Sequence, residues 1–313
     1  MARVLDDPSL DVRTLVRLLV TTSARLGDDE VRPAAARALA RATGQGVAFD
    51  ERWLALGPAA TLAARGDAGG EGIVRAALAD PNPFLRAEAA RVAGPIVAMR
   101  AVLLGLARDP EPRVREAVAV ALRTTPGPDA ADVLLALARD EWTFVRSGAY
   151  DALAVAPPEP RVDAALVTRL GEDASPLALP RAIDAASARG VGAAAPTLRA
   201  LFGDGKRPID VRVRAVRAVG GVCDRASVDA LSDLAARGAS RTATGEDQAL
   251  AGAAIVSLGR LAPPDLATRL APFRGEGVPR PLAGIAEAAR AEKDRCPLPA
   301  RRRRLRASPR RTA

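Results

Sequence analysis

The apolar pattern of the chain recurs. An Asp is followed six residues later by an Arg, and the residue just before that Arg opens an apolar stripe. The copies read Asp80-Pro81-Asn82-Pro83-Phe84-Leu85-Arg86, Asp109-Pro110-Glu111-Pro112-Arg113-Val114-Arg115 and Asp140-Glu141-Trp142-Thr143-Phe144-Val145-Arg146. From the residue before each Arg, small or apolar side chains follow at four, seven and eight positions: Ala89, Val92 and Ala93; Val118, Ala121 and Leu122; Ala149, Ala152 and Leu153. That spacing is one face of an α-helix. Weaker copies open at Leu179, Val211 and Leu250, so the starts lie 29 to 39 residues apart. Each interval has room for another helix, expected near 71–79, 99–108, 129–139, 160–171, 192–202 and 226–237. A helix hairpin of this size cannot bury its own apolar face, whereas a row of them makes a continuous core.

Turn chemistry agrees. Asp80-Pro81 and Asp109-Pro110 suit the first two positions of a type I turn. Pro83 and Pro112 fit a first helical turn, where a missing N–H is harmless, and Asn82 suits an N-cap. Upstream, Leu15, Leu18, Leu19 and Leu26 predict a helix over about 9–26, and Asp29-Glu30-Val31-Arg32 opens a helix in repeat register. A competing register runs from Asp7 to Val12-Arg13, also six residues, and would start the chain in mid-repeat.

The Val-Arg-x-x-Ala-x-x-Ala-Leu run with its preceding Asp resembles HEAT repeats of the short bacterial, bilin-lyase type, over about 71–260. The resemblance implies an all-α fold, an α-solenoid of about eight antiparallel helix pairs whose second helices line a concave surface. It also implies that Asp and Arg pair along the stack, which concerns Asp80, Arg86, Asp109, Arg115, Asp140 and Arg146. Pro180 and Ala251 stand where Arg belongs in the later copies, so the ladder should break there. Thr43-Gly44, Phe49-Asp50 and Trp53 are similar to a phrase that often closes such arrays, which implies a hydrophobic plug made by Phe49 and Trp53.

Three regions are expected. Residues 1–66 are divergent HEAT-like helices, 67–296 an array with a capping helix from Pro281, and 297–313 an Arg-rich tail too poor in apolar residues to fold. Gly66 to Gly70 reads as a flexible joint, and loops 203–209 and 238–247 are long enough to protrude.

Composition changes this picture in two ways. The net charge of +9 suggests a nucleic-acid binder, but the tail holds seven Arg and no acid, leaving +2 for the rest. The other change is the absence of histidine, which excludes Ser-His-Asp and Cys-His catalysis, histidine metal sites and any resemblance to HEAT-type iron hydroxylases. Cys223 and Cys296, about seventy residues apart, suggest no disulfide framework and no zinc site, so Cys223 is expected to be a small packing residue. No apolar run spans a bilayer and Met1 opens no signal peptide, so the cytoplasm is the default location, unless a signal lies upstream of Met1.

Candidate chemistry is sparse. Acid pairs at Asp6/Asp7 and Asp28/Asp29/Glu30 fall at helix starts, where carboxylates favour the dipole. There is no phosphate loop. Trp142 is expected to pack in an inter-helix turn and Tyr150 to be partly exposed; the aromatic and cationic set of HEAT-like DNA glycosylases is not recognisable around them.

If second helices line a groove, positions two, three and six beyond each start face it. They include Glu88, Arg91, Glu116, Ser147, Asp151, Arg181, Arg214 and Arg217, with Ala87, Ala117, Ala182 and Ala185 between them. Charge along this row runs from mixed acidic to basic. The expected function is a non-enzymatic, monomeric, cofactor-free scaffold holding a protein partner on that face. One rival is weak, sequence-independent association with nucleic acid or an anionic surface through Arg301, Arg302, Arg303, Arg304 and Arg306 and the 181–217 patch. The other is an enzyme subunit similar to the HEAT-type bilin lyases, for which no pigment site is marked.

Overall fold

The computed structural model describes residues 1–26, 28–44, 46–275, 277–292 and 296. The tail residues 297–313, including Arg301, Arg302, Arg303, Arg304 and Arg306, lie outside the described residues. Those described form an all-α chain with no strand. They divide into two compact units, Met1–Ala200 and the residues from Leu201 onward. The boundary expected at residue 66 falls inside the first unit.

In the first unit helices follow one another in pairs. They are α1 (Ala2–Leu5) and α2 (Val12–Thr21), α3 (Arg32–Ala42) and α4 (Phe49–Ala63), then α5 (Ala68–Leu78) and α6 (Pro83–Ala93). Next come α7 (Arg100–Gly105), flanked by short 3-10 turns, and α8 (Pro112–Thr124). The last pairs are α9 (Ala130–Leu137) with α10 (Thr143–Leu153), and α11 (Pro160–Glu172) with α12 (Ala178–Ala188). The even-numbered helices pack side by side in one row, α2 through α12. This stacking of helix hairpins is the α-solenoid arrangement. Leu85, Val114, Val145 and Leu179, the residues that open the stripes, are all buried. Burying each is worth about 1.5–3 kcal/mol.

Helix α13 (Ala195–Gly203) crosses the boundary between units. The second unit then holds α14 (Ile209–Gly221), α15 (Val228–Gly238), α16 (Gly245–Leu261), α17 (Leu266–Arg269) and α18 (Arg280–Ala291). Here α14, α16 and α18 form the row, with α15 laid against α16.

The structure resolves the N-terminal register. The Asp7-to-Arg13 copy is the one realised: α2 starts at Val12 and packs on α4, while Arg32 opens α3, the first helix of the next pair. The helix expected over 9–26 stops at Thr21, where Thr21 and Thr22 hydroxyls donate back to the Arg17 and Leu18 carbonyls at 2.9 and 2.6 Å. Residues 42–56 do not close a stack, because α4 lies inside the row between α2 and α6. Phe49 and Trp53 are 41% and 39% exposed and plug nothing. Nor is Gly66 to Gly70 a flexible joint. Asp67 caps α5, accepting from the Gly70 N–H at 2.7 Å, and a Cβ on Gly70 would meet the Ala59 carbonyl at 2.6 Å. Gly70, lacking a side chain, lets α5 close onto α4.

The cysteines differ most from expectation. Cys223 and Cys296 are joined in a disulfide, and neither is free. Sequence separation hid this pairing, because the chain returns across α15 to α18 before the second cysteine.

Candidate functional site

The geometry of the second helices begins with their first turns. Each ladder Asp caps its own turn: Asp80, Asp109 and Asp140 accept from the amides of Asn82, Glu111 and Trp142 at 2.8–2.9 Å. Each ladder Arg donates to the carbonyl of its own Asp, at 2.9 Å for Arg86, Arg115 and Arg146. The same guanidinium reaches the carboxylate of the next repeat. Arg86 grips Asp109 at 2.8 and 2.9 Å, Arg115 grips Asp140 at 2.6 and 2.9 Å, and Arg146 grips Asp173 at 2.8 and 3.1 Å. Such two-pronged charge-assisted pairs fix geometry as well as energy. Arg52 reaches Asp80 through a single N–H to one carboxylate oxygen, and Arg13 lies 3.4 Å from Glu51. The ladder therefore extends beyond the three sequence pairs, to Arg52 at one end and Asp173 at the other. It stops at Asp173, since Pro180 supplies no onward guanidinium.

Burial alone would raise the carboxyls of Asp109, Asp140 and Asp173. The Arg forks and backbone amides more than offset it, so all three lie below the ordinary carboxylate range. Tyr150 is fully buried, not partly exposed. Its hydroxyl donates to Asp173 at 3.0 Å, and burial together with that carboxylate pushes the phenol well above its usual range. The same hydroxyl lies 3.3 Å from the Ala138 carbonyl.

One turn along, the same helices build a groove. A cavity of about 630 Å³ is lined by Trp53, Phe84, Ala87, Glu88, Arg91, Arg113, Glu116 and Phe144. Phe84, Arg113 and Phe144 each stand directly before the residue that opens a stripe, so three successive repeats present them at one position. The Arg113 guanidinium lies over the Phe84 ring at 5.1 Å. Trp142 is 48% exposed rather than packed; its ring lies 5.8 Å from Phe144 and its indole N–H donates to Glu141 at 3.0 Å. Glu88 is half-buried, and that burial holds its carboxyl above the ordinary range although Arg91 opposes the shift.

The expected groove row is only partly a surface. Glu88, Arg91 and Glu116 line the cavity, with Arg91 3.6 Å from Glu88 and 3.3 Å from Glu116. Ser147 is buried, as are Ala87, Ala117, Ala182 and Ala185. The reason is physical: neighbouring second helices touch through these small side chains. Asp151 is met by Arg181 at 3.7 Å, so charges of adjacent helices neutralise each other instead of forming a free gradient. Arg214 and Arg217 stand on α14 in the second unit. Sequence reading missed Trp53, Phe84, Arg113 and Phe144 as cavity residues. The available signal was the Phe, Arg, Phe series just before Leu85, Val114 and Val145.

Among the described residues no group of His, Cys, Asp or Glu is arranged to hold a metal ion, and no helix is long and apolar enough to cross a membrane.

Comparison with known proteins identifies the repeat. Residues 70–154 match the family model for HEAT repeats. That segment carries HEAT repeats. Among solved structures, the X-ray structure of Escherichia coli YibA is similar, with a TM-score of 0.57 and 17% identity; the match covers 91% of this chain and 99% of YibA. At that identity the likeness concerns the fold. Human deoxyhypusine hydroxylase, solved with glycerol, matches at a TM-score of 0.33 and 20% identity, over 87% of this chain and 96% of the hydroxylase. No curated protein sequence matches the chain.

Proposed function

We propose that this HEAT-repeat chain is a non-enzymatic scaffold that holds a protein partner in the groove formed by α4, α6, α8 and α10. The observation that carries the reading is aromatic placement. The chain has five Phe, two Trp and one Tyr, and three of these eight, Trp53, Phe84 and Phe144, line one cavity. A fold that spends so few aromatics usually buries them, and Phe84 is instead 51% exposed. Exposed aromatic clusters beside Arg are the usual anchors of protein interfaces.

Charge narrows the partner. Arg91 is held between Glu88 and Glu116, whereas Arg113 has the Phe84 ring beneath it and is exposed. The groove therefore suits a peptide segment carrying an apolar or aromatic anchor next to a carboxylate. The anchor fills the space between Trp53, Phe84 and Phe144, and the carboxylate meets Arg113.

A randomised peptide library selected on the intact chain tests this. Selected peptides should combine an apolar anchor with Asp or Glu. Their affinity should fall at least about tenfold on Phe84→Ala or Trp53→Ala, as for an interface anchor. Arg113→Glu should turn the selection toward basic peptides. Peptides indifferent to all three changes would contradict the groove as the partner site.

A further inference from the structure

The second unit carries a covalent site that the scaffold reading does not use. Helix α14 ends in a turn in which the Asp224 N–H donates to the Val219 carbonyl at 2.9 Å, while Cys223 has φ +60°. Left-handed backbone at this position favours glycine, because a Cβ crowds the carbonyl. Helix α12 ends in the matching turn, with the Val191 N–H on the Ala186 carbonyl at 3.0 Å, and there the residue is Gly190 at φ +65°. The chain thus places a cysteine where the turn itself calls for glycine.

The sulfur explains the exchange. Cys223 is bonded to Cys296, and Cys296 is buried at 4% exposure. Arg225 reinforces the junction, donating to the Leu261 carbonyl at the end of α16 at 2.8 Å and to the Cys296 carbonyl at 3.2 Å. The bond closes a loop with a sequence separation of 73 that contains α15 to α18.

We propose that Cys223 and Cys296 are an oxidative maturation site, and that the chain completes folding by thiol–disulfide exchange with a disulfide-bearing donor in an oxidising compartment. One cysteine thiolate attacks the donor disulfide, forming a mixed disulfide and releasing a donor thiolate. The second cysteine, deprotonated, attacks the chain sulfur of that mixed bond. The donor leaves as a dithiol, having taken the two electrons and, in net, the two cysteine protons. The closed bond ties Cys296 to the turn that ends α14. Structural disulfides of this kind persist outside the reducing cytosol, which sets the proposal against the cytoplasmic default.

The test is made on intact chain expressed in its own host, quenched in acid, alkylated without reductant and mapped by mass spectrometry. A cross-linked peptide pair containing Cys223 and Cys296 is expected; alkylation of both cysteines in the freshly quenched protein would overturn the proposal. Purified chain should also show a thermal midpoint for the second unit that falls by more than about 10 °C on reduction. A Cys223→Gly variant should fold, owing to the relaxed turn, and should lose the response to reductant. A midpoint that ignores reductant in the parent chain would equally overturn the proposal.

Discussion

The two units solve one packing problem by different means. In the first, consecutive second helices are tied at their N-termini by buried guanidinium–carboxylate forks, from Arg86–Asp109 to Arg146–Asp173, with the single-pronged Arg52–Asp80 pair before them. In the second the equivalent Arg212 finds the Phe202 carbonyl at 3.3 Å and lies 4.0 Å from Glu246. Its helices rely on closeness instead. The Ser257 hydroxyl donates to the Val216 carbonyl at 2.7 Å, and a Cβ on Gly259 would sit 2.9 Å from that of Ala289. A Thr244–Asp247 capping box starts α16, and the disulfide closes the unit. The lesson is that a repeat fold tolerates loss of its signature residues when side-chain volume or a covalent bond supplies what the ladder supplied.

The largest effect expected from this contrast is reduction of the disulfide. Releasing a loop of this length should cost the second unit about 4 kcal/mol. Denaturant unfolding followed by region-resolved hydrogen exchange should show the first unit unchanged.

Next is the ladder. Arg115→Ala leaves the Asp140 carboxylate, whose side chain is 9% exposed, without its fork, and should cost about 2–4 kcal/mol. Arg212→Ala should cost under about 1 kcal/mol by the same melts. Equal losses at the two positions would erase the distinction between units.

Acid should separate them further. The ladder carboxyls are depressed in the folded chain, below an unfolded value of about 3.9. Their contribution is fully present above about pH 5 and is lost as pH falls through the lower folded values. Urea midpoints taken between pH 6 and 3 should therefore fall more steeply for the first unit. Tyr150→Phe is a smaller step; it removes the bond to Asp173 and should cost about 1 kcal/mol.

Much of the fold was legible in the sequence. The 3.6-residue stripes and the Asp-Pro turns placed α5 to α16 within a few residues, because those signals are local. The N-terminal register stayed open because Asp7-to-Arg13 and Asp29-to-Arg32 offered rival patterns, and only the packing of α2 on α4 decides between them. The disulfide was hidden because pairing depends on where the chain returns, not on spacing. The groove was half legible. Charged residues such as Glu88, Arg91 and Glu116 could be placed on a helix face by periodicity. Which side chains a neighbouring helix would cover, as at Ser147, and which aromatics would stay exposed, as at Phe84, depend on contacts between repeats.

The central functional claim is that the face of α4 to α10 receives a partner through its aromatic side chains. Hydroxyl-radical footprinting of the intact chain, with and without a peptide selected on it, tests this most directly. The account predicts that Trp53, Phe84 and Phe144 lose reactivity together on binding, while Leu177, 51% exposed in the same unit, keeps its own. Saturating peptide that leaves Trp53 and Phe84 as reactive as in the free chain would contradict it.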